Sequence, residues 1–346
     1  MTTNGSKPST IPIVDFGEFN DSSPAATRQQ IARDLVRACR EVGFVYIVNH
    51  GVPADELAKA FAVSQHFYAL PLSEKMKAPH PPGWEVHRGY SWPGLEKVSN
   101  ATAGAGDDTE ATSKLVEQMR SVQDFKESYE IGSEHDPDMP NVWPPDDVYP
   151  EWKPFMTSFY WTCFGAAKKV LRALALGIGL SDEEELVRQH SGHYNQLRLL
   201  HYPPIPARVL EDGRMERMPA HSDWSTITLL FQDDVGGLQV ESPTEPGAFI
   251  DVDPVDGGML VNIGDLMMRW SNDYLKSTPH RVTLPPLQDR YKGQERVTRA
   301  RYSIPYFLTT DPEEEIACLS VGEGEKPEYE PITRREYYAM RAKMQY

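Results

Sequence analysis

Two histidines and one aspartate are the residues of this chain best suited to bind a metal ion. His221 and Asp223 are two positions apart in a stretch that reads as extended, so both side chains lie on one face of the backbone. His280 begins the run HRVTL, and a strand folded against the first would bring its imidazole to the same ion. Two histidines and one carboxylate leave positions open for substrate and oxygen, which is typical of non-haem iron(II).

A second group of residues is suited to bind a carboxylate. Arg301 and Ser303, in RYSIPYF, are two apart on a predicted strand, so the guanidinium and the hydroxyl face the same cavity. Tyr202, before the double proline of HYPPIP, adds a hydrogen-bond donor from another strand. Arg299 has the same parity, but it lacks a serine two residues on and precedes the apolar run. The pattern predicts a receptor for the distal end of a dicarboxylate, centred on Arg301.

Each motif alone has a simpler interpretation. A single His-x-Asp is usually a surface or hydrogen-bonded core pair, and an Arg-x-Ser usually lies on a solvated strand face. Two histidines and an aspartate also hold zinc with an activating water, so a zinc metallohydrolase is an alternative from another class. The Arg301 receptor has no role in zinc hydrolysis, and a non-catalytic binding protein would need neither group. The combination therefore favours an iron enzyme with a dicarboxylate co-substrate.

The second half of the chain carries the strands that must position these residues. Short runs separated by Pro, Gly, Asp or charged turns predict a sandwich or barrel. They are, in order, LRLLHY, STITLLFQ, GLQVES, AFIDV, GMLVNIG, HRVTL and RYSIPYFL. Ahead of them, apolar residues from Trp152 to Leu174 recur every three or four positions, which predicts a long scaffold helix. Ser181 and Glu184 have the spacing of a capping box and predict another short helix.

The first half reads as an α/β region. Apolar spacing predicts helices over residues 24–41 and 55–70, on either side of a strand in GFVYIVNHGVP. Residues 1–10 are polar and predict a disordered tail, and small and acidic residues predict a mobile loop over about 94–122. We expect an N-terminal α/β region over 11–150 and a catalytic region over 151–346 that ends in a helix. Together they should form one compact unit.

Composition narrows the choice of partners and compartment. A formal net charge of −16 and a pI near 5.1 oppose binding to a phosphate backbone, so we expect no nucleic-acid partner. The first ten residues lack an apolar signal segment, and lysines and an arginine interrupt the most apolar stretch, 155–180, so we expect neither export nor a membrane span. The chain has three cysteines, and their spacing matches neither a CxxC motif nor a zinc finger: Cys39, Cys163 and Cys318. We therefore expect the protein to lie in the reducing cytoplasm.

The motifs together resemble the isopenicillin N synthase-like branch of the 2-oxoglutarate and iron(II) dioxygenases. IPIVDF and GFVYIVNHGVP match its N-terminal region, and the catalytic half matches in LRLLHYPP, HSDWSTITLLFQDDVGGLQV, NIGDLMMRWSND, STPHRV and RYSIPYF. RGYSWPGLEKV, DFKESYEIG and RWSND are in addition similar to fungal thymine hydroxylases and related fungal biosynthetic oxygenases. The resemblance covers nearly the whole chain. It implies a mainly β fold with flanking helices and a double-stranded β-helix, or jelly-roll, core.

The same resemblance implies an Fe(II) enzyme that consumes 2-oxoglutarate and O2, with ascorbate as a supporting reductant in vitro. The implied iron ligands are His221, Asp223 and His280, and the implied contacts to the far carboxylate of 2-oxoglutarate are Arg301, Ser303 and Tyr202. We expect the enzyme to hydroxylate a small organic molecule in fungal secondary metabolism, as a monomer or weak homo-oligomer. A thymine or pyrimidine hydroxylase and an oxidase that does not use 2-oxoglutarate are alternatives within the same fold.

Strand parity suggests where the organic substrate binds. Arg198 shares the face of Tyr202, Phe307 shares the face of Arg301, and Trp224 directly follows the metal carboxylate. The aromatic rings suit a flat or unsaturated substrate, although ordinary core packing explains them equally well. These three residues are the candidates for substrate binding.

Several features go beyond the matching motifs. Leu200 stands where many plant members of the family have asparagine, and the stretch between His280 and Arg301 is longer than is common, which we interpret as an extended hairpin. Tyr90 and Trp92 are further hypotheses for the pocket. The last segment, ITRREYYAMRAKMQY, predicts a helix that closes over the mouth of the site.

Overall fold

The computed structural model describes residues 11–83, 86–95, 123–212, 215–319 and 326–345. The predictions for the tail over 1–10 and for most of the loop over 94–122 lie outside these residues. The described helices are α1 (Ala25–Glu41), α2 (Ala54–Ala69), α3 (Leu72–Lys75), α4 (Trp152–Ile178), α5 (Glu185–Arg188), α6 (Ala207–Glu211), α7 (Asp265–Trp270) and α8 (Arg334–Gln345). The described strands are β1 (Ile13–Asp15), β2 (Phe44–Val48), β3 (Gly89–Ser91), β4 (Gln123–Asp124), β5 (Glu127–Ile131), β6 (Gln196–Tyr202), β7 (Met215–Glu216), β8 (Met218–His221), β9 (Ile227–Gln232), β10 (Leu238–Glu241), β11 (Phe249–Asp251), β12 (Met259–Ile263), β13 (His280–Val282), β14 (Tyr291–Lys292), β15 (Val297–Thr298), β16 (Arg301–Leu308), β17 (Glu315–Ile316) and β18 (Ile332–Thr333).

Two sheets form the centre of the fold. The major sheet has eight strands in the order β1, β2, β12, β9, β16, β6, β5 and β3, so it combines strands from both halves of the chain. The minor sheet has four strands in the order β11, β10, β13 and β8. Neighbouring strands are antiparallel except for the pair β1 and β2. The prediction of a mainly β fold with flanking helices is confirmed.

The register of the major sheet separates two cores. One face, which includes Val45, Leu229 and Ile304, packs against the helices in the larger core. The other face, which includes Tyr46 and Tyr202, packs against minor-sheet residues in a smaller core. Because side chains alternate along a strand, β2, β6, β9 and β12 each contribute to both cores. Arg301, Ser303 and Tyr202 of the predicted site lie on the major-sheet face that looks toward the minor sheet, whereas His221 and His280 lie on the minor sheet.

Helix α4 is the scaffold helix predicted behind the sheet. Its buried residues, among them Trp152, Phe159 and Leu174, recur at three- and four-residue spacing and join the larger core. The helix crosses α1 closely at Gly177, where an added Cβ would lie 2.4 Å from the carbonyl oxygen of Ala32. A side chain at this position would therefore force the two helices apart.

The structure tests two sequence predictions about local structure, and the one at Ser181 is wrong. Helix α5 begins at Glu185 without a side-chain cap, and the amide of Glu184 donates instead to Oδ1 of Asp182 at 2.9 Å, so Ser181 forms no capping box. The hairpin predicted between His280 and Arg301 is present, because β14 and β15 pair antiparallel within this segment. The chain crosses between the sheets there through a 3-10 helix and a separate short ribbon of β14 and β15.

None of the helices within the described ranges is both long and apolar enough to cross a lipid bilayer.

Candidate active site

His221 and His280 lie opposite each other on neighbouring strands of the minor sheet. His221 ends β8, His280 begins β13, and the two are cross-strand partners. The register shifts between this pair and the next one, Val282 with Met218, and such β-bulges re-aim side chains beside active sites. Asp223 follows β8 by two residues. Ligand atoms of the two histidines and the aspartate all lie within 4.8 Å of one another, so the structure brings the three predicted residues together.

Oδ1 of Asp223 faces both imidazoles. It lies 3.8 Å from Nε2 of His221 and 3.8 Å from Nε2 of His280. On the far side of each ring, Nδ1 lies against a backbone carbonyl, at 2.9 Å from Pro219 for His221 and at 3.3 Å from Thr278 for His280. Because a carbonyl oxygen only accepts hydrogen bonds, these contacts favour the proton on Nδ1 and leave the Nε2 lone pair for a metal.

The second carboxylate oxygen of Asp223 is held by two side chains. Oδ2 accepts a hydrogen bond from Thr228 at 2.6 Å and one from Asn262 at 2.9 Å. Burial alone would raise the pKa of Asp223, but the two histidines and these hydrogen bonds lower it below its ordinary value. Burial, followed by the charge of His280, lowers the pKa of His221 to about 4. At neutral pH Asp223 is therefore ionised and His221 neutral, as metal binding requires.

His221, Asp223 and His280 are called the metal cluster below, because together they could hold one metal ion. Asp265, the first residue of α7, connects the two segments that carry them. Its backbone N–H donates to the carbonyl of Asp223 at 2.7 Å, and its carboxylate accepts hydrogen bonds from Ser222 at 2.9 Å and Ser277 at 2.6 Å. Gly264 permits this close approach, because a Cβ there would lie 1.9 Å from a backbone oxygen. The loop after β8 and the loop before β13 are thus fixed to one carboxylate.

Arg301 and Ser303 lie on β16 and face the minor sheet. Arg301 is 1% exposed, and its Nη1 donates to Oγ of Ser303 at 3.1 Å. Tyr202 is its cross-strand partner on β6, with the ring centre 5.1 Å from the guanidinium carbon. Nε of Arg301 is buried without a hydrogen-bond partner. Because a buried cation needs a counter-charge, this group is suited to receive a carboxylate.

Gln232 and Tyr46 hold the Arg301 guanidinium in place. Nη2 of Arg301 donates to Oε1 of Gln232 at 3.1 Å, and Nε2 of Gln232 donates to the hydroxyl of Tyr46 at 2.8 Å. That hydroxyl in turn donates to the carbonyl of Asp253 at 2.8 Å. Since Tyr46 lies on β2, the N-terminal region takes part in the carboxylate receptor. Neither Gln232 nor Tyr46 was identified from the sequence, although Gln232 shares its strand face with Thr228.

Arg198 and Phe307 lie on the same face of the major sheet, nearer to the metal cluster. Arg198 forms an ion pair with Glu130 at 2.8 Å and donates to Ser128 at 3.1 Å. Burial lowers the pKa of Arg198 to about 10, so it is cationic at neutral pH. Phe307 is the cross-strand partner of Thr228, whose hydroxyl binds Asp223. The two predicted substrate residues therefore lie close to the cluster, with a buried carboxylate beside one of them.

The C-terminal helix α8 lies over Trp224, the residue after Asp223. The ring of Tyr338 meets that of Trp224 edge to face at 6.0 Å, and the guanidinium of Arg341 lies 5.5 Å from the same ring. Arg341 also pairs with Asp265 at 2.8 Å. The predicted helix is therefore present, and it covers the segment that carries Asp223.

Tyr90 and Trp92 lie on the other side of the sheet, so the hypothesis that they reach the pocket is wrong. Tyr90 packs in the helix-side core against Phe67, with ring centres 5.9 Å apart, and its hydroxyl donates to Glu127. Trp92 packs against the same core. Strand alternation explains the error, because Tyr90 pairs with Tyr129, whose ring also faces the helices.

The donor set fits a divalent transition metal. Two imidazole nitrogens and one carboxylate oxygen are fixed by hydrogen bonds from behind, and this set leaves coordination positions for exogenous ligands. The Arg301 receptor lies on the adjacent face of the same sandwich and fits a carboxylate. The arrangement can therefore hold a metal and an organic acid together.

Two known families match this chain. The family described as the non-haem dioxygenase in morphine synthesis N-terminal matches residues 11–146, and the 2OG-Fe(II) oxygenase superfamily matches residues 193–310. The second range contains the metal cluster and the Arg301 receptor.

Similar proteins extend the match to nearly the full length. A 2-oxoglutarate-Fe(II) type oxidoreductase of Metarhizium majus is 36% identical over 339 residues, which cover 94% of this chain and 93% of that protein. A proline hydroxylase of Petromyces alliaceus is 36% identical over 311 residues, which cover 89% of each. The solved structure of a full-length thymine hydroxylase of Neurospora crassa with alpha-KG and thymine matches with a TM-score of 0.81 and 35% identity, over 100% of this chain and 99% of that chain. This likeness confirms the predicted jelly-roll core.

Proposed function

This chain belongs to the 2OG-Fe(II) oxygenase superfamily, and we propose that His221, Asp223 and His280 hold its iron while Arg301 receives the distal carboxylate of 2-oxoglutarate. The geometry of the Asp223 carboxylate carries the proposal. Its Oδ1 lies 3.8 Å from Nε2 of both imidazoles, and its Oδ2 accepts two hydrogen bonds. The chain is an oxidoreductase that uses Fe(II), 2-oxoglutarate and O2.

Each residue has a defined part in the proposed mechanism. When bound, the iron and 2-oxoglutarate supply the oxidising power, since O2 converts the keto acid to succinate and CO2 and leaves one oxygen atom for the substrate. Arg301 holds the far carboxylate, with Ser303 and Tyr202 beside it, and thereby directs the keto end toward the metal cluster. Helix α8 covers Trp224 and limits the access of water.

We propose that the organic substrate is a small, flat or unsaturated molecule that undergoes hydroxylation in fungal secondary metabolism. It would lie against Arg198 and Phe307, which share one face of the major sheet, and beside the ring of Trp224. Arg198 together with Glu130 offers both donors and an acceptor, while an aromatic face stacks well on a planar group. The fungal relatives support this context.

Thymine is the second candidate substrate. The solved structure with 35% identity contains thymine together with alpha-KG. In this chain, an arginine and two aromatic rings, Arg198, Phe307 and Trp224, would also suit a pyrimidine. A free amino acid is a weaker candidate that only the name of the proline hydroxylase suggests. The Fe(II) and 2-oxoglutarate chemistry would be the same for all of them.

Succinate release measures the proposed activity directly. Purified protein would be incubated with Fe(II), ascorbate, 2-oxoglutarate and one of several candidates, which include thymine, uracil and L-proline. We expect succinate to form together with a product that has gained one oxygen atom, and Asp223→Ala to abolish both. Succinate formation that no candidate stimulates and that Asp223→Ala leaves intact would overturn the residue assignment.

The remaining proposals concern domain organisation, oligomeric state, partners and location. We propose that residues 11–150 and 151–346 fold as one unit, that the protein is a monomer or weak homo-oligomer without a nucleic-acid partner, and that it lies in the cytoplasm. The three free cysteines and the acidic charge support the last two points.

A further inference from the structure

Arg217 is a second buried arginine beside the carboxylate receptor. It immediately precedes β8, the strand that ends in His221, and is 0% exposed. Its guanidinium carbon lies 5.8 Å from the centre of the Tyr202 ring, and that of Arg301 lies 5.1 Å from the same ring. The guanidinium groups of Arg217, just before β8, and of Arg301, on β16, therefore share one aromatic neighbour.

The hydrogen bonds of Arg217 leave part of its guanidinium unused. Nη2 donates to Oγ1 of Thr298 at 2.8 Å and lies 3.4 Å from the carbonyl oxygen of Arg299. Nε and Nη1 are buried without a partner. Within the described chain neither Arg217 nor Arg301 forms an ion pair. Buried charges without a counter-ion are strongly unfavourable, so two such arginines together point to a missing anion.

The charges around the receptor support the same conclusion. Asp233 is a partly buried carboxylate near both arginines. Its charge favours the cationic form of Arg217, and the charge of Arg301 counteracts the burial that raises the pKa of Asp233. Burial, followed by the charge of Arg301, lowers the pKa of Arg217 to about 10, so Arg217 is still cationic at neutral pH. Two cations and one carboxylate leave one positive charge, which a distal carboxylate of the keto acid would balance.

We propose that Arg217 is a second positioning residue for 2-oxoglutarate, and that its charge selects keto acids that carry a distal carboxylate. Arg301 binds this carboxylate directly, and Arg217 adds attraction across the Tyr202 ring. The inference rests on the proposed function, because it requires 2-oxoglutarate to bind at Arg301. It assigns to Arg217 a role that neither the His-x-Asp motif nor the Arg-x-Ser motif includes.

A comparison of two keto acids tests the inference without turnover. 2-Oxopentanoate has the same carbon chain as 2-oxoglutarate but lacks the distal carboxylate. Anaerobic titration of the Fe(II) protein with each acid, followed by the visible absorption of the keto acid chelate, gives the two dissociation constants. We expect Arg217→Gln to weaken the binding of 2-oxoglutarate about tenfold and that of 2-oxopentanoate less than about twofold, because a nearby buried positive charge is lost. Arg217→Lys, which keeps the charge, should restore most of the preference.

Thr298→Val is the matched control. It removes the hydrogen bond that Thr298 accepts from Arg217 but leaves the charge, so the preference for 2-oxoglutarate should persist even where stability falls. Equal weakening of both keto acids in Arg217→Gln, or no change in either, would overturn the inference. If wild-type protein gives no absorption change with either acid, the proposed function fails instead, and the two failures are therefore distinguishable.

Discussion

Arg341 lies 2.8 Å from Asp265 and so connects the C-terminal helix to the carboxylate that holds the loop after β8 and the loop before β13. Asp265 is buried and Arg341 is partly exposed, with side-chain exposures of 7% and 25%. The same guanidinium lies over Trp224, next to Asp223. The position of α8 over the site is therefore coupled to the geometry of the metal cluster.

Loss of this ion pair should open the site to water. In Arg341→Met we expect succinate formation without organic substrate to rise about fivefold, because a partly buried pair contributes roughly 1 kcal/mol to the closed position of α8. Arg335→Met is the matched control, since Arg335 forms an exposed ion pair with Glu313 at the start of the same helix. Equal rates of substrate-free succinate formation in both variants would contradict the role of Arg341.

Gln232 should affect the affinity for 2-oxoglutarate but not the affinity for the metal. Gln232→Leu removes the acceptor that orients Arg301, and a hydrogen bond to a charged group contributes about 1.5–3 kcal/mol, so the dissociation constant of 2-oxoglutarate should rise at least tenfold. Tyr46→Phe, which acts one hydrogen bond further away, should have a smaller effect. Calorimetric titration with 2-oxoglutarate measures both. If Gln232→Leu lowered the affinity for the metal but left the affinity for 2-oxoglutarate unchanged, the assignment of Gln232 to the carboxylate receptor would be wrong.

Asn262 and Thr228 should determine metal affinity through Asp223. Both donate to Oδ2, and partners of a metal ligand typically change metal affinity about 10- to 100-fold. We expect Asn262→Leu and Thr228→Val each to weaken Fe(II) or Co(II) binding in equilibrium dialysis. Ser225→Ala is a control, because Ser225 contacts Thr228 at 3.1 Å but does not bind Asp223. An unchanged metal affinity in Asn262→Leu and Thr228→Val would refute this function of the two residues.

His190 should make stability depend on pH. Burial lowers its pKa to about 4 from an ordinary 6.5, and its ring nitrogens contact the carbonyl of Leu186 at 2.7 Å and the hydroxyl of Thr226 at 3.0 Å. Between these two pKa values the unfolded chain binds the additional proton, so the contribution of His190 to the free energy of unfolding falls as the pH falls from about 7 toward 4.

Urea denaturation at about pH 7.5 and about pH 5 tests this dependence. His190→Gln should be less stable than the wild type at the higher pH, because it loses packing and hydrogen bonds. It should also lose less stability between the two pH values, since it has no proton to gain. Parallel losses in the two proteins would show that His190 does not contribute to the pH dependence.

The sequence pattern predicted the candidate ligand residues of the site, but it did not predict the residues that hold them in place. His221, Asp223 and His280 could be found because ligand types and spacing are local properties of the sequence, and Arg301 with Ser303 followed from strand alternation. Thr228, Asn262 and Asp265 could not be found in this way, because their roles depend on cross-strand register and loop packing. Arg217 was missed for the same reason, since its burial becomes visible only when the two sheets are assembled.

The error at Tyr90 has a physical origin. The sequence suggested Tyr90 as a pocket residue, but strand alternation turns its ring toward the helices. The hairpin between His280 and Arg301 was predicted from the sequence, whereas the passage of the chain from one sheet to the other was not. The face on which a side chain lies and the sheet to which a strand belongs depend on topology, which residue patterns within one segment do not contain.

The central claim is that His221, Asp223 and His280 hold Fe(II) beside a carboxylate receptor at Arg301. The most direct measurement is an anaerobic titration of the Fe(II) protein with 2-oxoglutarate, followed by the visible absorption of the keto acid chelate. We predict a saturable band in the wild type, no band in Asp223→Ala at any 2-oxoglutarate concentration, and a band in Arg301→Met that requires much more 2-oxoglutarate. A band of wild-type intensity and affinity in both variants would contradict the claim.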